Sequence, residues 1–570
     1  MKTQINKIGI GVIFLFFGTN VFGGLDWSRG TLTNADNRIR NANATAYASN
    51  GNVYVAGTEE NAADHKLIVV KKYSSSGVLL NSITSSYTSL PTWTTASDYV
   101  TSISLDASGN VYLLGAQYTT IDRHEDIVVI KYNSSLTQQW KKYIYNTAYP
   151  TIGYDDKPAK LLFDDQGYVY VAGTWYQPSM TSGNEEIFVR KYNSSGTVIY
   201  TTPVPEVLDT TISDASDMCI DLNRNVTVIA GAEDNSSNTF IMYARISSAG
   251  VMQWKKFYAP PANFNFSNSP KIECTSAGVL YFSNSLYRYV PPQTYSGKIV
   301  TVKLKSTGTK IWDRFTTEVN YYPNDVTLRE EHNNIYTGCD FAGSTGIGAY
   351  NYRIYKYNSS GTLQWSHTST ETTTQFFTFE VFSTTSLFST FYDNQSGCPK
   401  IKKFDVSNGS VIWTESLTTS TPAGYNYAKI YLGAISINSS TSEVAFCGAI
   451  HGTESSSPFD VEYRWHIRKY GATSPRAASE ELISDNIISE IKIELFPNPA
   501  TNELTVSSKQ LDVRDEIRII DTNGKIVKHK LIDNNSSQQT VTVNDLQNGI
   551  YFVSVNTKGK MITQKLIVRH

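Results

Sequence analysis

Apolar runs rich in β-branched residues recur at near-even spacing from Arg40 to Tyr470, separated by turns of Ser, Asn, Asp and Gly. Val53-Tyr54-Val55-Ala56 and Ile127-Val128-Val129-Ile130 are apolar at every position, which predicts strands covered on both faces rather than the alternation of a half-wet sheet. One unit is written eight times: a strand ending in a GNVYVAG-like run, a loop, a strand ending in a pair such as Lys131-Tyr132, a turn such as NSSG, and usually another strand. The run is clearest at Gly51 to Gly57, Gly109 to Gly115 and Gly167 to Gly173, and it drifts in the later units. Five fourth strands are marked by Trp140, Trp254, Trp312, Trp365 or Trp413, and units one and three carry Leu80 and Tyr200 instead. A short unit that cannot bury its own apolar face must stack on its neighbours.

The eighth unit stops at Tyr470 without a fourth strand, whereas Leu25-Asp26-Trp27-Ser28-Arg29 reads as a fourth strand standing before the first unit. Pairing the two would close a ring and leave no open edge. The expected fold class is therefore all-β: an eight-bladed β-propeller over residues 24–472, with seven blades as the rival count, followed by a small β-sandwich. The repeats resemble a bacterial β-propeller repeat family with the signature D-x-x-G-N-V-Y-V-x-G…K-Y-x-x-x-G-x-x-x-W. Asp106 to Gly115, Asp164 to Gly173, Lys131 to Trp140 and Lys356 to Trp365 carry the match. That resemblance implies a scaffold and no particular active site.

Residues 1–23 combine Lys2 and Lys7 with an apolar stretch from Ile8 to Phe17 and small residues at Gly23-Gly24, the pattern of a secretory signal peptide. No other segment is apolar for long enough to predict a transmembrane anchor. Residues 473–490 read as a linker. From Ile491 to His570 a separate domain of about seven strands is expected, with tight turns at Asn523-Gly524 and Asn548-Gly549. It resembles the type A C-terminal sorting domain of the bacterial type IX secretion system through Pro497, Asn498 and Pro499 of the FPNPA start, then Gly524, Gly549, Tyr551 and the closing run from Lys565. The resemblance implies recognition of residues 491–570 by the secretion machinery of a Gram-negative bacterium. Passage through the periplasm and a final place in the medium or on the outer cell surface follow from it.

Charge narrows the partners. Asp and Glu slightly outnumber Lys and Arg, for a net charge of -2, which argues against nucleic acid. Five cysteines, at 219, 274, 339, 398 and 447, fall one per repeat in units four to eight, with no metal-binding spacing; they read as small buried hydrophobes. No cofactor or metal is predicted, and Asp106 and Asp164 of the DxxG turns read as turn residues rather than calcium ligands.

Antiparallel blades put the first-to-second and third-to-fourth turns on one face and the second-to-third and blade-to-blade loops on the other. The first set is terse. The second is long and aromatic, and it yields the candidate binding residues Trp93, Tyr149, Tyr154, Trp175, Tyr176, Tyr287, Tyr289 and Tyr322. Carboxylates share that face, among them Asp98, Asp155, Asp156, Glu185, Glu186 and Asp214. Three functions remain open: a glycan- or protein-binding module, a polysaccharide-degrading hydrolase or lyase working through paired carboxylates, and a structural surface protein without a discrete ligand. No catalytic residue is assigned.

Overall fold

In a computed structural model of the chain, the described residues are 25–29, 40–61, 65–85, 98–119, 124–145, 155–178, 183–205, 210–267, 269–291, 294–343, 351–369, 373–382, 386–393, 398–417, 425–437, 443–454, 461–470, 493–507, 516–521, 525–532, 538–557 and 560–570. The expected signal peptide and linker lie outside them, as do Trp93, Tyr149, Tyr154 and Gly524. The described strands form ten sheets, and the chain separates into two compact units, Met1–Ser484 and Asp485–His570.

Eight of the sheets are blades. The first four run from Arg40–Tyr47 to Leu79–Thr84, Tyr99–Leu105 to Gln138–Ile144, Lys157–Phe163 to Val198–Val204, and Thr210–Ile220 to Met252–Tyr258. Blade five runs to Lys310–Phe315 and blade six to Leu363–Thr368, each with its first strand in two pieces, and blade seven spans Thr373–Phe382 to Val411–Ser416. Blade eight takes Tyr425–Ile437, Val444–Glu454 and Val461–Tyr470 from one end of the chain and Leu25–Arg29 from the other. First strands of successive blades touch one another, and that of blade eight touches that of blade one, so the circuit closes at eight and the seven-bladed count is overturned. Trp27 pairs with Lys469 across the closing seam, the register that Trp140 holds with Lys131 and Trp365 with Lys356.

The Lys-Tyr…Gly…Trp signature is a latch between blades. Lys131 Nζ and Trp140 Nε1 of blade two both donate to the Ser194 carbonyl in the third turn of blade three, at 2.9 and 3.1 Å. Lys356 and Trp365 of blade six do the same to the Val406 carbonyl, each at 2.8 Å, and Lys469 closes the ring on the Ser75 carbonyl at 3.1 Å. The turn glycine lies under the indole: a Cβ on Gly196, at φ +79, would stand 2.9 Å from the Trp140 ring. Where a ring is kept the Gly is kept too, as Gly250 under Tyr200, and where the ring is lost the Gly goes with it. Blade one has Leu80 in its place, and the next blade's turn carries Leu136 at φ 63, its side chain buried in the cluster that blades one and two share. The second strand of blade one is apolar from Val53 to Ala56 because both faces are covered, with Val53, Val55 and Ala56 fully buried.

The second unit holds a three-stranded sheet of Glu494–Phe496, Glu503–Ser507 and Gln538–Thr542. A four-stranded sheet orders Ile526–Leu531, Glu516–Ile520, Gly549–Thr557 and Lys560–Val568. Leu504, Val506, Ile517, Ile519, Val553 and Leu566 fill the core between them. Among the described residues no helix is long and apolar enough to cross a membrane.

Candidate functional site

The turn face is built for the ring itself. Asp106 Oδ1 accepts from the Ser108 and Asn110 amides, both at 2.9 Å, and Asp164 does the same for Gln166 and Tyr168, so these carboxylates cap their own turns. The opposite face carries the side chains left over. Its loops are not uniformly long: the second-to-third turn of blade four, Asp234 to Asn238, is as tight as any on the turn face.

Three of the aromatic candidates converge on blades five and six. The hairpin Leu280–Val290 with Thr294–Leu304 is the longest in blade five, and its outer end pairs Tyr289 with Tyr295 and Tyr287 with Gly297. These residues are therefore on strand extensions rather than in loops, and their side chains share one face of the hairpin. Tyr322 arrives from blade six, with ring centroids 5.0 Å from Tyr287 and 5.5 Å from Tyr295. Gly297 lets it approach, since a Cβ there would lie 2.4 Å from Pro323 Cδ. Tyr289 and Tyr295 remain 54% and 37% exposed, and their rings meet edge to face at 5.7 Å. Tyr295 escapes the aromatic-loop reading because it becomes a neighbour of Tyr289 only through the cross-strand register. On the reverse of the hairpin Arg288 Nε donates to Glu318 at 2.7 Å, which holds the extension upright.

Other candidates are used internally. Trp175 is buried, stacks on Phe188 at 4.5 Å and donates its indole N–H to Glu186 at 2.8 Å. Tyr176 lies in the same strand, next in sequence. Asp98 accepts from the Gln117 amide at 2.7 Å and from the Tyr118 backbone, and burial pushes its carboxyl up to about 7. Asp156 is buried as well. Two carboxylate groupings stay accessible: Lys157 Nζ bridges Glu185 and Asp214 at 3.0 and 2.9 Å, and Asp155 accepts from the Glu125 amide at 3.1 Å. Burial, then the Asp155 charge, pushes Glu125 up to about 7.

A third grouping lines the inner wall. Lys160 Nζ meets Asp217 at 3.1 Å, while Arg329 bonds Glu380 through two nitrogens and approaches Glu273 at 3.6 Å. These five residues belong to the first strands of blades three to seven. Burial pushes the Glu273 carboxyl up to about 7 despite the nearby Arg329. Among the described residues no group of His, Cys, Asp and Glu is arranged to hold a metal ion.

In the second unit, residues far apart in sequence form one seam. Asn498 Nδ2 donates to the Lys565 carbonyl and Oδ1 accepts from the Ile567 amide, both at 2.9 Å, while the Ala500 amide donates to the Ile567 carbonyl at 2.8 Å. Gly549 pairs with Val568, and the Tyr551 hydroxyl donates to the Gln547 carbonyl at 3.0 Å. Residues 494–569 match the family described as "Secretion system C-terminal sorting domain". The C-terminal unit is a secretion sorting domain. A domain of this kind marks its carrier for export, so the protein is extracellular or at the cell surface and engages a secretion machinery. Replacing Asn498 by Ala removes both side-chain bonds of the seam and is expected to cost that unit about 1–2 kcal/mol, read as an earlier unfolding step and a smaller exported fraction.

No curated protein matches the chain. Among solved structures, it is similar to the polysaccharide lyase Uly1 at 10% identity and TM-score 0.36, covering 78% of this chain and 91% of that one. It is also similar to the WD40 domain of SCAP from fission yeast at 10% identity and TM-score 0.39, covering 80% and 99%. The α-L-arabinofuranosidase Arb93A from Fusarium graminearum follows at 11% identity and TM-score 0.30, covering 57% and 94%. Likeness at this level concerns fold alone.

Proposed function

We propose that the protein is an exported binding propeller that engages a glycan or a protein surface through the tyrosine-faced hairpin of blade five, backed by Tyr322 of blade six. One observation carries the reading: Tyr289 and Tyr295 stay exposed while Tyr287 and Tyr322 brace Tyr295, which in turn meets Tyr289. A braced ring presents a flat apolar face and a hydroxyl with little rotamer entropy left to lose on binding. Export by the type IX route, through the periplasm of a Gram-negative bacterium, fits the FPNPA start and Lys565-Leu566-Ile567-Val568 close of the sorting domain.

The test is a glycan array and a surface-protein pull-down with the exported protein. Tyr289→Ala and Tyr295→Ala should each weaken binding by about 1 kcal/mol or more, roughly fivefold, and Tyr289→Ala, the more exposed of the two, should shift unfolding by less than about 0.5 kcal/mol. Equal binding by parent and both variants would remove the hairpin from the site. A second reading, general acid catalysis on a polysaccharide, is favoured by the raised Glu125 carboxyl. Sugar-end release by the parent that is lost in Glu125→Gln would select it.

A further inference from the structure

First strands of neighbouring blades run in the same direction, so a contact between two of them sets the register for the residues on either side. Between blades four and five that register is fixed twice. The Ile272 amide donates to Asp217 Oδ2 at 3.2 Å, a step of 55 residues, and the Leu222 amide donates to the Ser276 carbonyl at 3.2 Å. Cys219 and Cys274 lie between these two contacts, separated by the same 55-residue step. Both belong to the hydrophobic cluster that joins the two blades, with Cys219 buried and Cys274 partly so. Both thiols are free in the structure.

We propose that Cys219 and Cys274 are joined by a disulfide in the exported protein, stapling the inner strands of blades four and five. The compartment supplies the chemistry, because a chain bound for the cell exterior passes through an oxidising space. The oxidant is a protein disulfide of that space: one cysteine thiolate attacks it and breaks its S–S bond, the second cysteine displaces the oxidant from the resulting mixed disulfide, and the two thiol protons pass to the oxidant, which leaves as a dithiol. Timing follows from the surroundings. Burial, and then the hydrogen bond with Cys274, hold the Cys219 thiol well above its ordinary value, so thiolate is scarce once the blades have closed. The bond therefore forms while the ring is assembling, and the folded protein resists reductant.

Cys339 and Cys447 are buried on second strands of blades six and eight, and Cys398 begins the third strand of blade seven. They are expected to stay reduced.

The test is alkylation of the full chain, expressed with export, under denaturing conditions without reductant. Three cysteines should react, five after reduction, and the unreduced chain should be lighter by about 2 Da, the two hydrogens lost. A proteolytic map should show one linked pair, Cys219 with Cys274, and Cys219→Ser should leave all four remaining thiols reactive. Five reactive thiols in the unreduced parent, or a linked pair involving Cys339, Cys398 or Cys447, would overturn the assignment. Should Cys219→Ser fail to fold, the map of the parent decides alone.

Discussion

A chain lacking Leu25–Arg29 is expected to lose on the order of 3 kcal/mol of stability and to associate through its last blade. The segment is the only strand of blade eight drawn from the other end of the chain, and it pairs Leu25 with Tyr470, Trp27 with Lys469, Ser28 with Arg468 and Arg29 with Ile467. Without it, Val461–Tyr470 becomes an open edge whose backbone donors and acceptors are free to pair with a second chain. The deletion removes the strand that one chain end lends to the other, so blade eight keeps its packing on blades seven and one and the Lys469 bond to Ser75 but loses its fourth strand. Size-exclusion chromatography across a concentration series, alongside denaturant unfolding, checks both parts. A deletion that stays monomeric with an unchanged unfolding midpoint would show that the seam contributes nothing.

The repeat was legible because its signature residues have local, recurring duties. Lys131 and Trp140 need only the carbonyl of the next blade's turn, and the Gly196 position needs only room for the indole. Each duty recurs blade after blade, so it leaves a period in the sequence. The paired loss of Trp at Leu80 and of Gly at Leu136 is legible for the same reason. The binding face was legible in outline only. Tyr287, Tyr289 and Tyr322 stand out as aromatics between strands, but Tyr295 joins them through hairpin register, and Trp175 leaves the set because a strand carries it inward onto Phe188. The inner wall was hidden altogether. Lys160, Asp217, Glu273, Arg329 and Glu380 come from five different blades, and only the stacking of first strands brings them into one line. The cysteine pair is a contact of the same kind, set by the register between blades rather than by spacing within one.

The inner wall gives the second large expected effect. Arg329 holds two carboxylates from the blades on either side, Glu380 by a two-nitrogen bond and Glu273 at 3.6 Å. Burial alone would lower its affinity for a proton, and the charges on Glu380 and Glu273 more than reverse that, so the guanidinium stays charged. Arg329→Met removes, among the described residues, the cation bonded to that pair and leaves two partly buried carboxylates without it, a loss of about 3 kcal/mol. The pH dependence distinguishes this cause from lost packing. Glu273 already has a folded-state pKa of about 7, above its ordinary 4.5, and loss of Arg329 pushes it further up. A carboxyl raised in the folded state contributes stability that is full below its unfolded pKa and is lost as pH rises through the folded one. The variant's deficit should therefore be small near about pH 5 and large near about pH 8, and Glu273→Gln with Glu380→Gln added to Arg329→Met should remove most of it. Urea midpoints at the two pH values read this directly. A deficit that is the same at both, or that persists with both glutamines present, would mean that Arg329 acts through its packing and not through its charge.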